Sequence, residues 1–331
     1  MAGDAAPAGP AAAPAVTWDW SAAALGAACA LPAAAVAALD DPARGAALAV
    51  GVLPALIVGL PPTRRGRLAL PAVGALIGLP ILLGTVLAGL PVLAVLTILV
   101  LGPASAWLAA RRRVGMLVMT LALPMVGVGL SYDDTGKGAG IAALILAGSA
   151  WACLVSMLWP ERPTPARGRP APAPPTIGYG VRLGLAGATA AAIGFLAGLE
   201  HVGWATAAAL LVMRPAADMQ RLRSVGRVAA VALGALLAIG LVHLDPASGW
   251  FGLAAVVALA TAAATHGSRW YVTPAFTTFL VFLLLLYATP DDATSRFDER
   301  LLETVLGVGL AYVFGLAIPA ALGRVRARRT T

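Results

Sequence analysis

The chain alternates long apolar stretches with short polar ones about a dozen times. The apolar stretches cover residues 19–39, 43–61, 68–88, 90–110, 114–130 and 139–159. A second set covers 177–198, 202–218, 226–244, 249–266, 271–288 and 301–322. Each is near the ~20 residues of α-helix that cross a bilayer. Lipid offers no partner for open backbone groups, so apolar runs of this length and without strand alternation read as helices. The pattern predicts an all-α integral membrane protein with about twelve transmembrane helices.

The two sets of six echo each other. An offset of 160 lays Gly66-Arg67 on Gly226-Arg227 and Gly74-Ala75-Leu76 on Gly234-Ala235-Leu236. Asp133-Asp134 answers Asp291-Asp292, Ala150-Trp151 answers Ala311-Tyr312, and Pro160 answers Pro319, all at nearly the same offset. Two parallel six-helix repeats are expected, related by an axis along the membrane normal, with a pathway between them. The expected organisation is a disordered tail over 1–17, a first repeat over 18–160, a linker over 161–176, a second repeat over 177–323 and a basic tail over 324–331. The linker, ERPTPARGRPAPAPPT, is too rich in proline and charge to cross a membrane and reads as a stiff cytoplasmic spacer.

Composition agrees with the membrane class. Of 331 residues, 60% are hydrophobic and 11% charged, where soluble domains carry about 25% charge. The net charge of +8 does not point to nucleic acid, because most arginines stand in short loops beside the spans. With loops assigned alternately to two sides, one side collects most of the 23 basic residues and the other most of the 15 acids. Basic loops stay cytoplasmic, which puts both termini inside. High Ala, Arg, Gly and Pro usage suggests a high-GC bacterial genome, and the expected location is the bacterial inner (plasma) membrane. Cys29 and Cys153 both fall within spans and read as small packing residues.

Recognisable catalytic chemistry is scarce. The chain has no GxxxxGK[ST] phosphate loop, no GxSxG, no HExxH and no Cys/His metal spacing. No enzyme activity, cofactor or metal is expected. Prolines at 32, 54, 71, 80, 103, 124 and 274 fall in spans and are candidate breaks.

A few polar residues stand out against this background. Arg214 falls about 18 Å along the span that starts at Val202, at 1.5 Å per residue. An arginine at that depth is a functional candidate, here an anion-binding or pore-lining group, with snorkelling to the interface as the competing reading. Arg67 and Arg227 open matched spans and could form paired cations at a cytoplasmic mouth, or else contact helix C-terminal carbonyls. Glu200 and His201, ahead of Trp204, combine a carboxylate and an imidazole that could pass a proton, or make a polar turn with an interfacial tryptophan. Asp133, Asp134, Asp291 and Asp292 are candidates for an outer gate or for solvated turns. Arg300 and Glu303, three apart, can pair on one helix face.

From His201 to Gly234 the chain reads HVGWATAAALLVMRPAADMQRLRSVGRVAAVALG. This resembles the signature of the fusaric acid resistance (FUSC) family of membrane transporters, with Trp204, Arg214, Arg221, Arg227 and Gly234 carrying the likeness. Arg300 to Thr304, running into Gly307, resembles the family's last helix, and AGSAWACLVSMLWP, ending at Pro160, the close of its first half. The resemblance implies a transporter, with an anionic pathway between the halves to which Arg214, Arg221 and Arg227 would contribute. The family includes aromatic carboxylic acid exporters, and its membrane architecture is similar to that of plant organic-anion channels. Many relatives insert a large cytoplasmic domain where this chain has only its linker. The expected partners are a small organic anion and the lipid bilayer, without nucleic acid; homo-oligomerisation stays open. A major-facilitator-type carrier, a passive anion channel and a non-transporting scaffold are the alternatives.

Overall fold

The computed structural model describes residues 16–57, 59–163, 173–242, 244, 248–268, 276, 278–279 and 293–329. Among them it is helical throughout, with no strand. The order is α1 (Trp20–Leu39), α2 (Pro42–Ile57), α3 (Arg64–Arg67), α4 (Leu70–Ala88), α5 (Pro91–Arg111) and α6 (Arg113–Leu117). A π turn (Val118–Ala122) leads into α7 (Leu123–Gly129), then α8 (Thr135–Leu158), α9 (Ile177–Leu196), α10 (Val202–Val212), α11 (Ala217–Val242) and α12 (Ser248–Ala264). The last run is α13 (Ala293–Tyr312), a second π turn (Val313–Ala317) and α14 (Ile318–Arg329).

Among the described residues, seven helical runs are long and apolar enough to cross a bilayer. Shorter apolar helices cover Ala43–Ile57, Val114–Gly129, Val202–Val212 and Gly249–Ala264. The span expected at 271–288 lies almost wholly outside the described residues, as do Asp291, Asp292 and Pro274.

Helix ends follow their caps. Asp19 accepts from the backbone N–H groups of Ser21 and Ala22 and starts α1, Asp134 accepts from Gly136 and Lys137 and starts α8, and Thr176 starts α9. Several proline expectations are corrected. α1, α2, α4 and α5 run through Pro32, Pro54, Pro80 and Pro103; Pro71 sits in the first turn of α4, where the missing N–H costs nothing, and Pro124 directly follows the π turn within a continuous helical run.

The helices pack through small residues. α1 lies along α12, and α5 along α9; α8 packs on both α2 and α4, and α13 on both α10 and α11. A Cβ added at Gly102 of α5 would strike the backbone of Gly184 and Gly180 in α9, and one at Gly51 of α2 would strike the backbone of Ile145 in α8. Such close approach is how helices associate where lipid is as apolar as leucine. Cys29 and Cys153 are buried in the core shared by α1, α2, α8 and α12. A second core joins α5, α7, α9 and α10 around Ile98, Met119, Leu183 and Leu210. Large apolar side chains such as Leu79, Leu83, Leu96, Val100 and Leu154 point outward, as a lipid-facing surface requires.

Candidate functional site

Arg67 has an identifiable structural role. It is 1% exposed. Its Nε donates to the Pro61 carbonyl at 3.1 Å, Nη1 to the carbonyls of Ser156 and Trp159, and Nη2 to that of Pro160 at 2.8 Å. These include the open carbonyls at the C-terminus of α8. Arg67 is therefore removed from the pathway set, because every nitrogen of its guanidinium is engaged by backbone. Arg227 does not mirror it. Arg227 lies ten residues into α11, within electrostatic reach of Arg300, and its Nε is buried with no hydrogen-bond partner among the described residues. The expected pair of cations at one mouth is not formed.

Arg214 occupies a helix break rather than a helix. α10 ends at Val212, the chain unwinds over Met213 to Ala216, and α11 starts at Ala217. The cause is Pro215: its ring disfavours helical backbone at the residue before it, and it brings no N–H of its own. Arg214 Nη1 donates to the Met213 carbonyl, and the Arg214 N–H points at Gln220 Oε1, 3.5 Å away. Gln220 in turn donates from Nε2 to the Ala311 carbonyl, just before the second π turn. Arg182, Arg214 and Arg223 all lie within electrostatic reach of the buried Tyr179 hydroxyl. Three cations thus converge where α9, the break and α11 meet, and the Arg223 Nε is buried with no partner among the described residues. Sequence reasoning treated Arg182 and Arg223 as orientation signals; their common neighbour, Tyr179, was not legible before the break was placed. Arg221, one of the expected pathway cations, is exposed on α11.

A second polar set gathers at the other end of α10. His201 Nδ1 lies 3.1 Å from Glu299 Oε1, and ligand atoms of Glu200, His201 and Glu299 fall within 4.8 Å of one another. The His201 ring stacks on Trp204 with centroids 4.1 Å apart and planes 17° apart. The Arg300 guanidinium lies 4.0 Å from the Trp204 ring centroid, a cation–π contact. Arg300 therefore spends its charge on tryptophan rather than in the close pair expected with Glu303. Glu303 is fully buried, with neither carboxylate oxygen hydrogen-bonded among the described residues. Glu299 and Glu303 were missed as site residues. The available signal was an acid three residues inside an apolar span. Asp133 is exposed, and Asp134 is engaged as the cap of α8.

Residues 189–314 match the family model described as fusaric acid resistance protein-like. This segment is fusaric acid resistance protein-like. The FUSC-like segment starts within α9 and ends in the second π turn, so it contains the Arg214 break, the His201 cluster and Glu303. The likeness drawn from His201 to Gly234 lies inside it. With the apolar helices, the match supports a multi-pass membrane protein that carries a FUSC-like segment. No curated protein and no solved structure matches the chain.

Proposed function

We propose that the protein is a membrane transporter that exports small organic anions, aromatic carboxylates among them. The observation that carries this reading is the convergence of Arg182, Arg214 and Arg223 on Tyr179 at a helix break. A carboxylate recognised there would gain charge-assisted hydrogen bonds from guanidinium, and the phenol hydroxyl adds a neutral donor. The FUSC-like segment suggests a transport or efflux role, and transporters build their sites on interrupted helices. Exit of the anion past α10 leads towards His201 and Glu299, whose proton exchange would couple export to an existing proton gradient.

The same reading takes the fold as twelve helices in two parallel six-helix units. Helix pairings support it: α1 on α12 corresponds to α5 on α9, α2 on α8 to α10 on α13, and α4 on α8 to α11 on α13. Each pair maps onto its mate when every span is shifted by six places along the twelve. Basic loops at the Arg214 end support a cytoplasmic face there, both termini inside, and a bacterial inner membrane.

Flux in proteoliposomes loaded with a panel of aromatic carboxylates tests the proposal, with and without an imposed pH gradient. Gradient-dependent efflux that Arg214→Ala abolishes is the expected result. Flux indifferent to the gradient means a channel, and no flux for any acid rejects the substrate class.

A further inference from the structure

We propose that Glu303 is a proton-binding site inside the membrane, reached from the far surface through His201 and Glu299. Its burial is complete, and neither of its carboxylate oxygens has a hydrogen-bond partner among the described residues. An ionised carboxylate held that way would forfeit its hydration with nothing in return. A protonated one carries no charge to desolvate. An intramembrane acid retained under such a cost is a functional residue by default.

Geometry connects this acid to water. Glu299 precedes Glu303 by four residues in α13, so the two stand one turn apart on the same helix face. Glu299 is 3.1 Å from the His201 imidazole, and both side chains are partly exposed, at 20% and 17%. Glu200 stands in the same turn and is exposed. A proton taken by the imidazole passes from its ring nitrogen to the Glu299 carboxylate, which becomes the acid. That O–H bond then breaks as one forms on Glu303. Each step moves one proton between two neighbouring groups and leaves no other bond changed.

The charges facing this path come from several elements. Glu299 and Arg300 of α13 and Glu200 before α10 act on Glu303. Arg227 of α11 and Tyr132, beyond α7, act on Arg300. α9 presents no titratable group to Glu303 among the described residues. Arg300 acts on Glu303 from over the Trp204 ring, without a hydrogen bond to either carboxylate oxygen. His201 stacks on the same tryptophan, so one side chain positions both the guanidinium and the imidazole that face this path.

The site rests on the transporter reading only for what its proton drives, and the experiment separates the two. Full-length protein in proteoliposomes is treated at pH 7 with dicyclohexylcarbodiimide, an apolar reagent that attacks protonated carboxyls, and the modified peptide is identified by mass spectrometry. An exposed glutamate, with an ordinary value of about 4.3, is ionised and inert at that pH. Labelling of Glu303 but not of Glu200, slowing as pH is raised, is expected. Glu299→Gln is expected to slow it further. An unlabelled Glu303, or labelling equal to that of Glu200, overturns the proposal. This readout needs no transported substrate, so it decides the proton site even if no carboxylate moves. Where wild type does move one, Glu303→Gln is expected to lose the response to a pH gradient while keeping anion-for-anion exchange. A gradient response that survives in Glu303→Gln overturns the coupling role, as does loss of exchange alongside it.

Discussion

Pro215 decides what Arg214 can do. In a continuous helix this arginine would have to snorkel or face a neighbour. With the helix ended one turn early, it sits beside open carbonyls at the C-terminus of α10, where a cation is welcome. Pro215→Ala is expected to keep or raise thermal stability, because helix can extend through 214, and to lower anion flux; melting in detergent and vesicle flux measure the two. Arg67 predicts the opposite pattern. Arg67→Met leaves buried carbonyls unmet and should cost about 3 kcal/mol of unfolding free energy. Fluorescence-monitored unfolding would detect this, with no change in anion selectivity among surviving molecules. Asp19 holds α1 at the same end of the molecule, bonded to Ala22 and Ser21 and 3.2 Å from Arg162. Its carboxyl lies below its ordinary value of 3.8, chiefly through the Ala22 N–H, opposed by burial and helped by Ser21, Arg162 and His266. A lowered carboxyl contributes stability above its unfolded value and loses it as pH falls through the folded one. Asp19→Ala should therefore cost about 1 kcal/mol of stability near neutrality, and the melting temperatures of variant and parent should converge as pH falls through the lowered carboxyl value.

At the scale of elements, hydrophobic runs were a good guide to where helices exist and a poor one to where they end. α1, α4, α5, α8 and α9 stand where the apolar periods put them. The run at 202–218 hid a break, because apolar content alone does not register that Pro215 forbids helix at Arg214. The run at 226–244 began late for the converse reason: Ala217 to Ser224 is polar yet helical, its Gln220 satisfied by the Ala311 carbonyl. Helix partners were not legible at all, since small residues recur everywhere in the chain. Only the structure selects Gly102 and Gly184 as a crossing point. Gly102→Val is expected to push α5 off α9 and to reduce the monodisperse fraction on size-exclusion chromatography. The same change at Gly140, where a Cβ meets nothing, should be silent.

Across the whole molecule, the charged residues that matter collect at the two ends of α10. Sequence reading found one member at each end, Arg214 and His201, but not their company, because Tyr179, Glu299 and Glu303 come from other helices and Arg223 from beyond a break that apolar content hides. The two sets are joined by a helix of 11 residues, about 16 Å at 1.5 Å per residue. Elsewhere the insulating layer is about 30 Å thick. A thin insulator concentrates voltage. Water drawn to the polar groups at both ends of α10 would carry the bulk potentials inward and concentrate most of the membrane's electrical drop across that short stretch. A carboxylate leaving Arg214 for the far end of α10 would traverse nearly the whole drop, worth about 2.3 kcal/mol per charge at 100 mV. A negative interior would then work directly as the expelling force on the anion.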